Sequence, residues 1–374
     1  MEDTKQAIRA VDFRRSLPPV PPRLHEELAR SLEHFAGNGE LGTLMHESRA
    51  RGTDRERAAG ARFLSSRLGA DISPERIMIT NGTQSACVLL LRELVGSSGV
   101  LLAETLTYGA LRALAQKCSI RIHGVAIDHE GIRPDAFEEA CRVHKPRALY
   151  CNPTLHNPTT AVMSLARRWE LIGIARQYGV TLIEDEALAR LYPDTPQPLA
   201  TLAPEICWYV MSTSKCLSHG LRLAYVAAPS TQAATAMLES ADRLSFWVPT
   251  PLITAIMTSW VENGVADLIS GDIARECLMR EHAATQTLAG YDVRAPRGAM
   301  HIWLTLPRHY GANKFVDLAQ SSGVLLRPAS QFSVGDTPPP DSVRLSLSTP
   351  STLDEVKQGL GAVRDLLERG IGGT

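Results

Sequence analysis

The sequence predicts an α/β fold, in which helices cover both faces of a mostly parallel sheet, followed by a smaller α+β part. Between residues 100 and 151, short apolar runs alternate with helical segments, a βαβ rhythm that is typical of a parallel sheet. The chain of 374 residues is also long enough to bury a large core. We therefore expect two closely packed domains.

The elements of the first part follow from apolar periodicity and turn residues. A proline-rich stretch at residues 16–23 can be neither regular helix nor central strand. A helix is expected at residues 54–68, with Asp54 as its N-cap and Gly69 beyond its end. Further helices are expected at residues 24–35, 85–94, 108–117, 134–143 and 165–178, and strands at residues 76–80, 100–103, 120–125, 148–151, 180–187 and 207–211.

The last third of the chain changes character. Long helices are expected at residues 232–244, 251–262 and 274–289. Short strands and helices then alternate, with strands at residues 299–306, 324–327 and 342–347 and helices at residues 314–321 and 353–369. This pattern predicts a compact α+β domain at the carboxyl end.

Composition argues against several classes of partner. The formal net charge is −1 and basic residues are spread along the chain, which disfavours nucleic acid and a membrane surface. Arg92 and Glu93 interrupt the most hydrophobic region, and the first residues lack a secretory pattern. The seven cysteines are scattered without a CxxC pair, so neither a disulfide framework nor a zinc site is indicated. We expect a soluble cytoplasmic protein.

The first candidate site is the turn after the strand at residues 76–80. Gly82, Thr83 and Gln84 stand between this strand and an apolar helix expected from Ser85. The free N–H groups and the dipole at a helix start attract anions, so the turn could bind a phosphate. A tight turn without a ligand explains the same residues equally well.

Polar residues also follow two buried strands. The strand at residues 148–151 runs into a loop with two Asn-Pro pairs, at Asn152 and Asn157, and open α/β sheets bind ligands at such strand ends. The strand at residues 180–187 has three consecutive acids near its end, Glu184, Asp185 and Glu186. A carboxylate there is costly unless it is paired, but spacing alone does not choose among the three acids.

The segment around Lys215 carries the chemistry that organises the chain. A buried strand precedes Ser212, Ser214 and Lys215, and Arg222 follows. Such a set suits a ligand with a carbonyl and a phosphate, because the lysine can form an imine and the hydroxyls and guanidinium can hold the anion. A surface lysine near a turn is the alternative. Cys216 beside it is read as a small buried residue rather than a nucleophile.

These motifs together resemble a known family. The Ser-x-Ser-Lys motif ending at Lys215, with Gly-Leu-Arg-Leu-x-Tyr from Gly220, is similar to fold-type I pyridoxal-phosphate-dependent aminotransferases of class I/II. The chain also resembles the aminotransferase-like domain of MocR-type regulators, without the winged-helix segment that precedes that domain. The resemblance spans residues 10–370 through six segments in the family's order, around Gly82, Tyr108, Asn157, Asp185, Lys215 and Arg344.

The resemblance implies a role for each matching residue. Lys215 would hold pyridoxal phosphate as a Schiff base and act as general base, and Asp185 would pair with the pyridine nitrogen. Tyr108 would stack on the ring, although a buried structural tyrosine is a competitor. Arg344 would bind the substrate carboxylate, and Asn157 would contact the ring oxygen and the substrate. The expected remaining cofactor contacts are Gly82, Thr83, Gln84, Ser212, Ser214 and Arg222.

The resemblance also implies the architecture: a large domain with a mostly parallel seven-stranded sheet, and a small α+β domain. We expect residues 1–45 to form an arm and part of the small domain, residues 46–270 the large cofactor domain, and residues 271–374 the small domain. Arg14, Arg15 and Leu17 of the arm would touch the ligand, unless this segment is a plain connection.

Several positions depart from the family pattern. Leu188 stands where a tyrosine usually donates to the ring oxygen, and Thr160 stands where glycine is usual, so the local turn would differ. Ala299 and Ala329 replace glycines, which would reshape the side-chain pocket. Where relatives carry a tyrosine that reaches the partner subunit's cofactor, this chain has His46, Glu47 and Ser48, and none is identified as the substitute.

The implied function is transfer of an amino group between an α-amino acid and a 2-oxo acid in a homodimer. The missing tyrosine leaves elimination, racemisation or oxidation open as alternatives. A non-catalytic effector domain is disfavoured because Lys215, Asp185 and Arg344 are all present and because the chain begins close to the domain itself.

Overall fold

The computed structural model of the chain describes residues 10–70, 72–192, 194–242 and 244–371. The outer limits expected for the two domains, residues 1 and 374, lie outside these residues. Its strands are β1 (Val11–Asp12), β2 (Ile77–Thr80), β3 (Val100–Glu104), β4 (Arg121–Val125), β5 (Ile127–Asp128), β6 (Gly131–Ile132), β7 (Ala148–Cys151), β8 (Thr181–Asp185), β9 (Cys207–Ser212), β10 (Ala224–Ala227), β11 (Val293–Arg294), β12 (His301–Thr305), β13 (Val324–Leu325), β14 (Arg327–Pro328) and β15 (Ser342–Ser346).

The helices connect and cover these strands. They are α1 (Pro22–Gly37), α2 (Glu40–His46), α3 (Asp54–Leu68), α4 (Gly82–Leu90), α5 (Leu111–Lys117), α6 (Pro134–His144), α7 (Leu165–Tyr178), α8 (Leu199–Leu202), α9 (Thr213–Cys216), α10 (Thr231–Ala241), α11 (Pro251–Glu262), α12 (Val265–Thr287), α13 (Ala312–Ser321) and α14 (Leu353–Ile371). A π-helical turn, Leu91–Val95, extends α4, and single 3₁₀ turns occur at Pro74–Arg76, Ala189–Leu191, His219–Leu221 and Ala329–Phe332.

The large sheet confirms the predicted fold class. Its seven strands lie in the order β2-β10-β9-β8-β7-β3-β4, and all pair in parallel except β10, which is antiparallel to both β2 and β9. Helices cover both faces, so every residue of β3, β7 and β9 is buried. Along β9, Tyr209 and Met211 pack into the core on one face and Trp208 and Val210 into the core on the other.

A smaller antiparallel sheet contains the strands of the carboxyl-terminal part, in the order β11-β12-β15-β14. In its register Arg344 of β15 lies opposite both Trp303 of β12 and Arg327 of β14. The amino-terminal strand β1 pairs in parallel with β13, with Val11 opposite Val324. The segment that follows β1 is thereby held next to the smaller sheet.

The structure corrects several expected boundaries. The helix expected from residue 274 belongs to one longer helix, α12, which begins at Val265. The single strand expected at residues 324–327 is divided between β13 and β14, which belong to two different sheets. The helix expected at residues 108–117 begins at Leu111. In each case the apolar pattern located the element, but pairing partners and neighbouring turns determined its ends.

Two helix starts also differ, and the second affects the candidate site. Asp54 is the first helical residue of α3, and Thr53 is its N-cap, in a capping box with Glu56. Helix α4 begins at Gly82 rather than at Ser85, so the expected turn is in fact the first turn of the helix. Within the described residues, no helix has both the length and the apolar character required to cross a bilayer.

Candidate functional site

A cavity of about 370 Å³ opens where β7, β8 and β9 end, between the large sheet and the smaller one. The carboxyl edge of a parallel sheet is the usual location of ligand sites in such folds. All of the site residues expected from the sequence line this cavity: Gly82, Thr83, Gln84, Tyr108, Asn157, Asp185, Ser212, Ser214, Lys215, Arg222 and Arg344. Arg14, Arg15 and Leu17 of the amino-terminal segment line it as well.

The three consecutive acids at the end of β8 are separated by strand alternation. Successive side chains of a strand point to opposite faces, and of the three acids only Asp185 lines the cavity. Its Oδ2 accepts a hydrogen bond of 2.6 Å from Tyr150 Oη, and its Oδ1 accepts one of 3.1 Å from the backbone N–H of Ala187. Burial raises the pKa of Asp185 to about 6, against the opposing effect of these hydrogen bonds and of Lys215.

Glu184 and Glu186 lie on the other side of β8 in a closed network. Glu184 accepts from the backbone N–H groups of Leu199 and Ala200 at 2.9 and 2.8 Å. Arg67 binds both oxygens of Glu186 at 3.0 Å. The fully buried guanidinium of Arg168 lies 3.5 Å from Glu184 and 3.8 Å from Glu186.

Two hydroxyl groups complete this network. Tyr209 Oη donates to Glu186 at 2.9 Å, and Thr154 Oγ1 donates to the other oxygen of the same carboxylate. The charges of Glu184 and Glu186 are therefore matched inside the protein, which leaves Asp185 as the acid that can serve a ligand.

Lys215 follows β9 in the short helix α9, and its side chain is half-buried at the cavity. Its Nζ donates to the main-chain oxygen of Ser16. Burial, together with the charge of Arg344, lowers the pKa of Lys215 to about 8, although Asp185 acts in the opposite direction. A substantial fraction of the amine is therefore neutral near physiological pH, which is the nucleophilic form.

An anion site lies at the start of α4. Gly82 has φ +78°, a backbone conformation that favours glycine, and Asn81 at the N-cap makes no side-chain capping bond. The first turn thus has no side-chain cap from Asn81, and it lines the same cavity as Ser212, Ser214 and Arg222, with Gly82 lying against the main chain of Arg222. Burial of the α4 start beside hydroxyl groups and a guanidinium suits a phosphate.

Arg344 lies at the opposite wall, on β15 of the smaller sheet. Its Nη1 donates to Asn157 Oδ1 at 2.7 Å and its Nη2 to the main-chain oxygen of Arg14 at 2.6 Å, whereas its buried Nε has no hydrogen-bond partner among the described residues. The guanidinium carbon lies 4.9 Å from the centre of the Phe332 ring. A buried arginine with an unmatched donor is suited to a carboxylate ligand.

Tyr108 lies between these two ends of the cavity. Gln84 Nε2 donates to Tyr108 Oη at 2.9 Å, which fixes the position of the phenol ring. This hydrogen bond does not test the expected contact of Tyr108 with a ligand ring, which stays a prediction.

The departures from the family pattern have different structural outcomes. Thr160 has φ +62°, so the threonine adopts the left-handed backbone conformation that is more usual for glycine, and the expected difference of the turn from that of the family stays a prediction. Leu188 lines the cavity and brings no hydroxyl group to it. Ala299 and Ala329 are buried, but neither lines the cavity.

The positions expected to face a partner subunit, His46, Glu47 and Ser48, are exposed and lie outside the cavity lining. Glu47 forms an ion pair with Arg49. None of the three reaches the cavity of its own chain.

Sequence reasoning missed four contributors to the site. Tyr150 binds Asp185 from the adjacent strand β7, Ser16 accepts from Lys215, and Arg327 and His301 line the cavity from the smaller sheet. Burial lowers the pKa of His301 to about 3, so its imidazole is neutral. The sequence feature that could have indicated the role of Tyr150 was its hydroxyl group within the otherwise apolar run of β7.

The lining fits pyridoxal phosphate, the cofactor that the resemblance implies. A partly neutral lysine can take its aldehyde, a buried carboxylate can pair with its ring nitrogen, and the uncapped start of α4 can take its phosphate. Nothing in the described lining opposes this fit.

Comparisons with known proteins agree with this geometry. Residues 19–360 match the protein family described as aminotransferase class I and II. The chain is 30% identical over 305 residues to the uncharacterized HTH-type transcriptional regulator YdeF of Bacillus subtilis, covering 82% of this chain and 66% of that protein. It is 28% identical over 275 residues to a 2-aminoadipate transaminase of Thermus thermophilus, covering 70% and 68%.

Solved structures show the same fold. An archaeal alanine:glyoxylate aminotransferase superposes with a TM-score of 0.86 at 23% identity, covering 98% of this chain and 92% of that one. The Thermus thermophilus α-aminoadipate aminotransferase LysN, complexed with a phosphopyridoxyl-leucine, superposes with a TM-score of 0.85 at 24% identity, covering 98% and 94%. The chain spans only 66% and 62% of the length of two Bacillus subtilis regulators that it matches, YdeF and YisV.

Proposed function

We propose that this chain, which belongs to the class I and II aminotransferase family, is a pyridoxal-phosphate-dependent aminotransferase acting on an α-amino acid and a 2-oxo acid. The observation that carries the proposal is the meeting of Lys215, Asp185 and Arg344 in one cavity. They are distant in sequence and come from three different strands or strand ends. Each has the environment that its expected role requires.

The cofactor contacts proposed for this chain divide between its two ends. Lys215 would hold the aldehyde, Asp185 the ring nitrogen, and Tyr108 and Asn157 the ring and its oxygen. The start of α4 at Gly82, Thr83 and Gln84, together with Ser212, Ser214 and Arg222, would hold the phosphate. When bound, pyridoxal phosphate supplies an aldehyde for the amino group and a ring that stores the electrons of the broken bond.

The residues of this chain then perform the remaining tasks. Arg344 binds the substrate α-carboxylate, and its hydrogen bond to Asn157 fixes the plane of the guanidinium. Lys215 Nζ takes the proton from the substrate α-carbon, for which its lowered pKa is suited. Tyr150 donates to Asp185 and holds that carboxylate toward the cavity.

The main-chain oxygens of Ser16 and Arg14 occupy donors of Lys215 and Arg344 in the structure. A substrate carboxylate would replace the contact to Arg14, so the amino-terminal segment would shift when substrate binds.

A second candidate function is an effector domain that binds an amino compound without turnover. It is favoured by the names of four of the relatives, which are HTH-type transcriptional regulators. The relatives named as enzymes do not agree on a substrate, since their names include 2-aminoadipate and aromatic amino acids. Elimination, racemisation and oxidation also stay open because Leu188 supplies no hydroxyl group to the cavity.

We further propose the domain limits 1–45, 46–270 and 271–374, a homodimer with shared sites, and a cytoplasmic location. The pairing of β1 with β13 supports the assignment of the first segment to the smaller domain. The family resemblance supports the dimer, and composition supports the location.

The test is an absorbance experiment on the purified protein reconstituted with pyridoxal phosphate. We expect a visible band of the lysine-bound cofactor, and its replacement by the band of the aminated cofactor when amino acids are added without an oxo acid. Ammonia release without the aminated form would instead support elimination or oxidation. A stable band that shifts on binding but never converts would support the effector domain, and no band beyond that of a Lys215→Ala variant would refute the cofactor assignment.

A further inference from the structure

The cavity lining has more cationic than anionic side chains, and the cofactor and the substrate α-carboxylate do not provide a partner for every cation. One carboxylate, Asp185, lines it, against six cationic side chains: Arg14, Arg15, Lys215, Arg222, Arg327 and Arg344. Under the proposed function, Lys215 and Arg222 serve the cofactor and Arg344 serves the α-carboxylate. Arg14 is bound by Asp12 at 2.9 and 3.0 Å. Arg327 is left without an assigned anion, with the exposed Arg15 near it.

Arg327 is held against Arg344 by the smaller sheet. The two arginines are direct cross-strand partners between β14 and β15. Side chains opposite each other in an antiparallel pair share one face, with Cβ atoms about 5 Å apart, and like charges there repel. Both line the cavity. The sheet therefore presents two guanidinium groups side by side toward the ligand.

The surroundings of Arg327 do not neutralise it. Within the described residues its Nε is buried without a hydrogen-bond partner, and no carboxylate lies within ion-pair distance of its guanidinium. Asp12 exerts a favourable charge effect on Arg327, but its carboxylate is held by Arg14. Burial, with the charges of Arg14 and Arg15, lowers the pKa of Arg327. Because Arg327 is half-buried beside Arg344, an anion that meets its guanidinium would stabilise this arrangement.

The cofactor phosphate is not that anion in the proposed arrangement. Its expected site is built on the large sheet, at the start of α4 and around Arg222, whereas Arg327 and Arg344 are neighbours on the smaller sheet. An anion that meets both guanidiniums must therefore belong to the same molecule as the α-carboxylate.

We propose that Arg327 binds a carboxylate on the side chain of the substrate, so that this site selects acidic amino acids and their 2-oxo acids. The inference rests on the proposed function for the role of Arg344. It assigns Arg327 a charge-assisted hydrogen bond to the second carboxylate, the interaction for which a planar guanidinium is suited. Neutral amino acids of equal length would leave Arg327 unmatched.

The first experiment compares matched substrates on the reconstituted protein. L-aspartate, L-glutamate and L-2-aminoadipate are compared with L-asparagine, L-glutamine and L-norleucine by the rate at which the cofactor band converts. At least one acid should exceed its neutral counterpart about 10- to 100-fold in kcat/KM, the range of one hydrogen bond to a charged group. Arg327→Gln should remove this preference and leave the rates with neutral amino acids within about threefold. Arg308→Gln, an exposed arginine of the same part of the chain, is the control.

A second experiment does not depend on turnover. Glutarate and pentanoate have the same carbon chain and differ by one carboxylate, and their dissociation constants are measured by calorimetry on the reconstituted protein. Glutarate should bind about 10-fold or more tightly than pentanoate, and Arg327→Gln should equalise them.

The two experiments separate the inference from the proposed function. A cofactor band that never converts, together with glutarate binding that depends on Arg327, would refute the transferase and support the dicarboxylate site. Conversion without preference for acids, or an equal loss for acidic and neutral amino acids in Arg327→Gln, would overturn the inference and leave the transferase intact. If Arg327→Gln does not fold, the substrate and glutarate preferences of the unchanged protein decide.

Discussion

The two sides of β8 use the same kind of residue for different purposes. Glu184 and Glu186 are fully buried, and their oxygens are matched by Arg67, Arg168, backbone N–H groups and hydroxyls. Asp185 lies between them in sequence, yet it faces the cavity, and among the described residues its carboxylate accepts hydrogen bonds only from Tyr150 and the N–H of Ala187. The comparison teaches that burial does not identify the functional acid, whereas incomplete internal pairing beside a cavity does.

The largest expected effect is on the cavity side, from Lys215→Ala. Removing the amine should lower the rate of cofactor-band conversion by about 10⁴-fold or more, because both the covalent attachment and the base are lost. The free energy of unfolding in urea should not fall, since the substitution removes a half-buried amine whose charged form is disfavoured by desolvation and by the charge of Arg344. Lys117→Ala, on the exposed side of α5, is the matched control and should change neither quantity.

On the opposite side, Arg168→Leu should affect stability. It leaves Glu184 and Glu186 without part of their compensation, and we expect a loss of about 3–5 kcal/mol in the free energy of unfolding. Arg176 lies on the same helix as Arg168, α7, and forms an exposed ion pair with Glu205. Arg176→Leu should lower the free energy of unfolding by less than about 1 kcal/mol. Equal losses in the two variants would mean that the buried network contributes no more than a surface pair.

The sharpest comparison exchanges one acid on each side of the strand. Asp185→Asn should lower the conversion rate about 10²- to 10³-fold, which is the usual effect of removing one preorganised electrostatic partner from an active site. It should not lower the free energy of unfolding at pH 8. Glu186→Gln should lower stability by about 1–3 kcal/mol, because hydrogen bonds to Arg67 weaken, and should affect the rate less. Urea unfolding and single-turnover kinetics measure both. The same stability loss in both variants would remove the distinction between the sides.

A smaller effect concerns pH. With a pKa of Lys215 of about 8, half of the amine is neutral at that pH, and the neutral fraction levels about one pH unit above it. The rate of pyridoxal phosphate uptake by the cofactor-free protein should therefore rise with pH, reach half of its maximum near pH 8 and then level. Asp185 favours the charged lysine, so Asp185→Asn should move this midpoint to lower pH. A rate independent of pH between 6 and 9 would contradict a nucleophilic role for the amine, because even an unshifted lysine, with a pKa of about 10.4, becomes more neutral across this range.

Two helix starts show where local patterns misled. Gly82 looked like a turn residue before the helix and is instead its first residue. Asp54 looked like the N-cap of α3, but Thr53 takes that position in a capping box with Glu56. Both errors concern helix ends, which apolar periodicity locates only to within one or two residues.

The sequence by itself determined the alternation of strands and helices and the placing of Lys215 and of three acids, Glu184 to Glu186, at strand ends, since apolar periodicity and residue type are local properties. Only the tertiary structure decided which of three adjacent acids faces the cavity, that Tyr150 supports it, and that Arg327 lies opposite Arg344. Those relations depend on strand register and on which side chains find partners across the sheet. Register is set by packing over the whole domain, so residues up to 330 positions apart, such as Arg14 and Arg344, meet only when the chain is folded.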